Sequence, residues 1–238
     1  YQSKAQGGGV VVEFHSGQRD AVVRRHQLER LLGDLEDEEL SVLFQPIVET
    51  GSGEVVAAEA LARWHSTELG SVPPLEFIRI AEETGRIVTL GERILALAVA
   101  GFTAVESRAG REDTLLAVNV SAIQLRDARL PRRVDQIVSR AGLAPERLIL
   151  ELTESAVLHD AELALRQLSL LREIGVAVAL DDFGTGYSSL SHLTRMPVDY
   201  VKIDGSIVRR AISGVADRNL LEGIVSLSDR LGIRGSAA

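Results

Sequence analysis

The stretch from Val176 to Leu190 constrains the fold more than any other. Five consecutive apolar residues, Val176 to Leu180, lie between Gly175 and an acidic pair, Asp181 and Asp182. A strand with no polar face is buried on both sides, which is the condition of a strand in a parallel sheet covered by helices. At the carboxyl ends of such strands the loops are free of packing duty, and chemistry collects there. Two adjacent carboxylates at that point repel each other unless something positive is present. Hard oxygen donors suit Mg²⁺ or Mn²⁺. For an isolated pair the plain alternative is an Asp-rich turn capping the next helix. Gly184 and Gly186 then permit a tight turn.

The rest of the chain supplies the other strands and the helices such a sheet needs. From Arg19 to Leu35, Ala21, Leu28, Leu31 and Leu35 recur at one-face helical spacing, and the acidic run Glu36 to Glu39 ends the segment. It reads as a linker helix in preference to a barrel-covering one. Strand patterns follow at Val42 to Val48, Val55 to Ala62, Leu115 to Val120, Leu148 to Leu152 and Tyr200 to Ile203, with a last one starting near Ile233. Between the second and third, Pro73 and Pro74 open one helix, and Ile87, Leu90, Ile94, Leu97, Gly101 and Val105 stripe another. Helix Ala161 to Ile174 leads into Val176. With 238 residues, 45% hydrophobic and 25% charged, the chain is large enough for one (β/α)8 barrel or two small domains. A net charge of -8 argues against DNA or an anionic membrane as a partner. Cysteine is absent, which removes disulfides and thiolate metal sites. With neither an 18-residue apolar run nor a secretory leader, the expectation is a soluble, cytoplasmic segment, free or as the cytoplasmic part of a longer membrane protein.

Polar and acidic residues sit on or just beyond strand after strand. Glu59 belongs to the second, Asn119 and Ser121 to the third, Glu151 and Glu154 to the fourth, Asp181 and Asp182 to the fifth, Lys202 and Asp204 to the sixth. A carboxylate inside an apolar strand costs several kcal/mol unless it is paired or metal-bound. Glu59, Glu151 and Asp181 converging on one end of a closed sheet would therefore need a cation. Gly184-Thr185-Gly186 lacks the third glycine of a dinucleotide fingerprint, and no Walker lysine is present. No G-x-S-x-G elbow surrounds Ser188 and Ser189.

Six segments in order resemble the EAL domain family of bacterial phosphodiesterases that open cyclic di-GMP to linear pGpG. They are Gln45-Pro46; Glu59-Ala60-Leu61 within Glu-Ala-Leu-Ala-Arg-Trp; Asn119-Val120-Ser121 with Gln124-Leu125; Glu151-Leu152-Thr153-Glu154-Ser155; Asp181 to Leu190; and Lys202-Ile203-Asp204. The resemblance implies an α/β fold, a TIM-like (β/α)8 barrel with its first strand antiparallel to the rest. It also implies a domain layout. Residues 1–16, with Tyr1-Gln2-Ser3-Lys4, the glycines and Val10 to Phe14, resemble the trailing end of a GGDEF diguanylate cyclase domain. Residues 17–39 would be a linker helix, and 40–238 the EAL domain.

Carried over position by position, the resemblance makes Glu59, Asn119, Glu151 and Asp181 ligands of one Mg²⁺ or Mn²⁺, with Asp181 shared and Asp182 serving a second ion. Lys202 would hold and polarise the attacking water, so Lys202, Asp182 and Glu59 are the implied catalytic set. Gln45, Leu61 and Arg63 would contact cyclic di-GMP. Glu154 would steady a loop containing Gly184, Thr185 and Gly186 that couples the metal site to a homodimer. Beyond Ile233 the family pattern calls for a further Glu and an eighth strand, where this sequence reads Gly235-Ser236-Ala237-Ala238. A polypeptide ending there is expected to be nearly inactive. The rival expectation is a degenerate domain that binds cyclic di-GMP or regulates an adjacent cyclase domain without hydrolysis.

Overall fold

The computed structural model describes residues 16–109, 113–158, 160–184 and 196–237. The upstream-domain reading on residues 1–15 and the roles expected of Thr185 and Gly186 lie outside them. In chain order the elements are α1 (Ser16–Gly33), β1 (Leu40–Val48), β2 (Val55–Ser66), β3 (Gly70–Val72), α2 (Pro74–Glu83), α3 (Ile87–Ala109), β4 (Leu115–Asn119), α4 (Ala122–Leu125), α5 (Leu130–Ala141), β5 (Leu148–Thr153), α6 (Glu154–Leu158), α7 (Ala161–Ile174), β6 (Ala177–Phe183), β7 (Tyr200–Ile203), α8 (Gly205–Ala211), α9 (Val215–Leu231) and β8 (Arg234–Ala237). The strands form one sheet in the order β1-β2-β4-β5-β6-β7-β8, with β3 folded back on β2. β1 and β2 pair antiparallel, and every step from β2 to β8 is parallel. This is the TIM-like arrangement with an inverted first strand. Among the described residues no ladder joins β8 to β1.

Alternation along each strand sorts the side chains into two layers. Outward-facing Leu116, Val118, Leu148, Leu150, Leu152, Val178, Leu180, Val201 and Ile203 join Leu95, Val99 and Phe102 of α3, Val134 and Val138 of α5, and Leu168 and Leu171 of α7 in the main core. Facing inward, Ala117, Ile149 and Ala179 pack with Leu115, Ala177 and Tyr200 as a thin apolar floor. α5 adds a helix to the sequence reading: Leu130, Val134 and Val138 lie at i, i+4 and i+8 and are all buried. At the floor end, Arg147 donates to the Thr114 carbonyl, pairs with Glu106 and lies 5.5 Å over the Phe102 ring, fastening the start of β4 to α3.

Two strand boundaries differ from the sequence reading. The buried strand does not stop at the acidic pair: β6 runs on to Phe183, with a register shift against β7 between Leu180 and Phe183. A bulge inserts a residue without ending pairing, and the run of apolar residues carries no sign of it. β2 extends to Ser66 and turns into β3, because Trp64 and Ser66 still have partners in Val72 and Gly70. α1 buries Leu28, Leu31 and Leu32 beside Trp64, Phe77, Leu90 and Ile94 in a second core. It is therefore packed onto the barrel along its C-terminal half. α3 is long and apolar enough to cross a membrane by length and composition. Its apolar face is occupied by both cores.

Candidate active site

Each polar residue of the site stands two positions beyond an inward-facing apolar one. Glu59 follows Ala57, Asn119 follows Ala117, Glu151 follows Ile149, Asp181 follows Ala179, and Lys202 follows Tyr200. The period of two keeps all five on the inner face, just above the floor. Lys202 Nζ lies at their centre, 3.0 Å from Glu59 Oε2, 2.9 Å from Glu151 Oε2 and 3.5 Å from Asp181 Oδ2. Asn119 Nδ2 donates to Glu59 Oε1 at 2.9 Å. Val120 N–H donates to the Glu151 carbonyl at 2.8 Å, tying the ends of β4 and β5 together.

The electrostatics of this cluster are lopsided. Glu151 is 3% exposed, and burial pushes its carboxyl up to about 7; the Lys202 charge opposes that, while Glu59 and Asp181 add to it. For Lys202 burial works against the ammonium, but Glu151, Asp181 and Glu59 together hold its pKa above the usual lysine range. Lys202 is thus a permanent cation. Asp182 is also raised, by burial first and then by Asp181 and Asp204, with Lys202 opposing. Its φ of 56° lies in the left-handed region, where a non-glycine residue stores strain of about 1–2 kcal/mol.

The remaining expected residues are near, but not all in contact. Gln45 faces Glu59 across the β1–β2 ladder, and Leu61 and Arg63 continue up the same face of β2. Arg63 Nη1 donates to the Ala62 carbonyl at 2.9 Å. Glu154 opens α6, half-buried. Gly184 has φ 95°, and a Cβ there would meet Ile207 Cδ1 at 2.5 Å, so both backbone and packing require glycine. Trp64 points to the opposite face, 1% exposed and edge-on to Phe77.

Ser121 and Gln124, part of the resemblance but given no role by it, hold the end of β4 in place. Ser121 Oγ accepts from Gln124 N–H at 3.2 Å and Gln124 Oε1 accepts from Ser121 N–H at 3.1 Å, a complete capping box. The S-x-x-Q spacing was the available signal.

Four carboxylates, Glu59, Glu151, Asp181 and Asp182, face a single ammonium. The donors are oxygens, with one amide, and three of the carboxylates close on the one ammonium, so the ionised group carries more negative than positive charge. That donor set fits a hard divalent cation. Among the described residues no three acidic or histidine side chains are placed to hold a metal ion as they stand; Glu59, Glu151 and Asp181 close on Lys202 instead.

A family profile described as EAL domain matches residues 27–237. The chain is 35% identical over 235 residues to the bifunctional diguanylate cyclase/cyclic di-GMP phosphodiesterase MucR of Pseudomonas aeruginosa, covering 98% of this chain and 34% of that protein. A solved structure of the MucR phosphodiesterase in complex with c-di-GMP superposes with a TM-score of 0.82 at 37% identity, over 89% of this chain and 85% of the other. A Klebsiella pneumoniae BlrP1 manganese/cy-diGMP complex gives a TM-score of 0.71 at 30% identity, over 84% and 49%. Curated relatives such as these are longer proteins, and the chain spans 25% to 37% of their length.

Proposed function

The chain belongs to the EAL domain family, and from that membership and the geometry above we propose that it is a divalent-metal-dependent phosphodiesterase opening cyclic di-GMP to linear pGpG. One observation carries the reading: Glu59, Glu151 and Asp181, from three different strands, converge on the single Lys202 ammonium.

In this reading Glu59, Asn119, Glu151 and Asp181 would hold one Mg²⁺ or Mn²⁺, and Asp181 with Asp182 a second. Such ions, when bound, supply Lewis acidity toward the phosphodiester and lower the pKa of water. Lys202 stays charged, so it serves as a hydrogen-bond donor that orients the attacking water and faces the developing negative charge. It is not a base. Gln45, Leu61 and Arg63 line one wall of the mouth and bind the dinucleotide, the planar guanidinium of Arg63 being suited to a phosphate. One water is consumed per turnover: its oxygen bonds to phosphorus, the bond from phosphorus to the 3′ oxygen breaks, and that oxygen leaves with a proton. Glu154 would steady the loop of Gly184, Thr185 and Gly186 that would couple the site to a homodimer. The bifunctional relative supports a GGDEF domain upstream in cis.

Chromatography of cyclic di-GMP after incubation with a protein that carries this chain and continues through the family's eighth strand tests the reading. Linear pGpG is expected with Mn²⁺ or Mg²⁺ and none in excess EDTA. Undiminished turnover in EDTA would refute metal dependence. Tight binding of cyclic di-GMP by the metal-loaded protein with no pGpG at all would instead favour a domain that senses the dinucleotide.

A further inference from the structure

Resting on the phosphodiesterase reading, we propose that Gly91 and Gln124 are positioning residues that hold Asn119 in register against Glu59, the missing side chain at Gly91 being what admits Gln124. Glycine inside a helix costs about 1 kcal/mol relative to alanine, so an interior glycine needs a reason. Gly91 lies in the first turns of α3, flanked by Leu90 and Ile94 of the second core. A Cβ built on it would stand 2.5 Å from Gln124 Cδ and 2.8 Å from Gln124 Oε1. No real Cβ sits that close, so alanine there has to push the amide away.

The amide has no cheap alternative position. Gln124 is 7% exposed, and its Oε1 is the acceptor that completes the capping box with Ser121. Ile123, beside it, packs against the second core. Gly91, Asn119, Val120 and Gln124 line one small cavity between α3 and the end of β4. The box therefore fixes the chain two residues beyond Asn119, and Val120 N–H, between them, is bonded to Glu151. Displacing Gln124 frees Ser121, and with it the segment that carries Asn119 to Glu59.

The test compares Gly91→Ala, Gln124→Ala, the double variant and Gln124→Glu, with Gly223→Ala as the control. Gly223 is another helical glycine, and a Cβ there meets nothing within 4 Å. Two readouts need no turnover: Mn²⁺ affinity by calorimetry, and hydrogen exchange at the Ser121 and Gln124 amides. Residues that orient ligands typically alter metal affinity about 10- to 100-fold when changed. Gly91→Ala and Gln124→Ala are each expected to weaken Mn²⁺ binding at least about tenfold and to speed exchange at both amides. The double variant should be no worse than the worse single, because both act through one amide. Gln124→Glu keeps an acceptor at that place and should preserve protection of Ser121. Wild-type Mn²⁺ affinity in Gly91→Ala, additive losses in the double variant, or a Gly223→Ala protein behaving like Gly91→Ala would each overturn the proposal. If the wild-type protein itself fails to bind Mn²⁺, the phosphodiesterase reading falls, and the exchange rates still decide whether Gly91 seats Gln124.

Discussion

A carboxylate at Glu151, 3% exposed, retains its proton up to about 7 because burial outweighs the help it receives from Lys202. A folded-state pKa raised above the ordinary 4.5 means that the native protein binds the proton more tightly than the unfolded chain. The corresponding stability is complete below about 4.5 and is lost as pH rises through about 7. Other carboxylates, such as Glu39, which accepts from Thr67 N–H, are lowered and trend the opposite way. The contribution of Glu151 is therefore read as a difference. In metal-free buffer the melting temperature of the wild type should fall relative to Glu151→Gln across that interval, and saturating Mn²⁺ should flatten the difference. An unchanged difference with Mn²⁺ would argue that Glu151 touches no ion. Glu59→Ala should lower turnover about 10²-fold or more. Its melting temperature should stay close to wild type, since the change removes one of the charges that raise Glu151 while Lys202 keeps two carboxylate partners.

Leu28 is fully buried between α1 and the β2–α2 region, where it shares a core with Trp64 and Phe77. Leu28→Ala should cost about 2–5 kcal/mol in urea unfolding, as buried leucines do. A change below about 0.5 kcal/mol would show that α1 is a passive tether. Gly184 follows the bulged end of β6, and a Cβ on it would overlap Ile207 Cδ1 of α8. Gly184→Ala should destabilise by at least about 1–2 kcal/mol, the cost of a left-handed backbone alone, with the overlap on Ile207 added to it. Thermal melts of the two variants separate these effects from any effect on turnover.

Among the described residues the two larger cores meet at Val42 of β1, in contact with both. Trp64, the single tryptophan, belongs to the second core, whereas most strands belong to the first. Its fluorescence and far-UV dichroism should therefore follow one urea transition if the cores unfold together, and two displaced transitions would contradict that. The alternation of strands and helices, the parallel sheet and the carboxylates at strand ends were legible in the sequence because they depend on period and order alone. Glu59, Asn119, Glu151, Asp181 and Lys202 stand out by their places on successive strands, and the resemblance gathers four of them around one ion; that Lys202, 143 residues from Glu59, would sit 3.0 Å from it at the centre of the cluster was not readable, since only barrel curvature brings them together. The bulge at Asp181 and Asp182 was hidden because it depends on how β7 pairs with β6, a partner residue pattern that the local apolar run does not encode. The same holds for α1 and Gly91. Helical spacing determined that α1 would form and that Gly91 would lie within a helix; only the tertiary structure decided what each meets, because packing depends on which surfaces the sheet brings face to face.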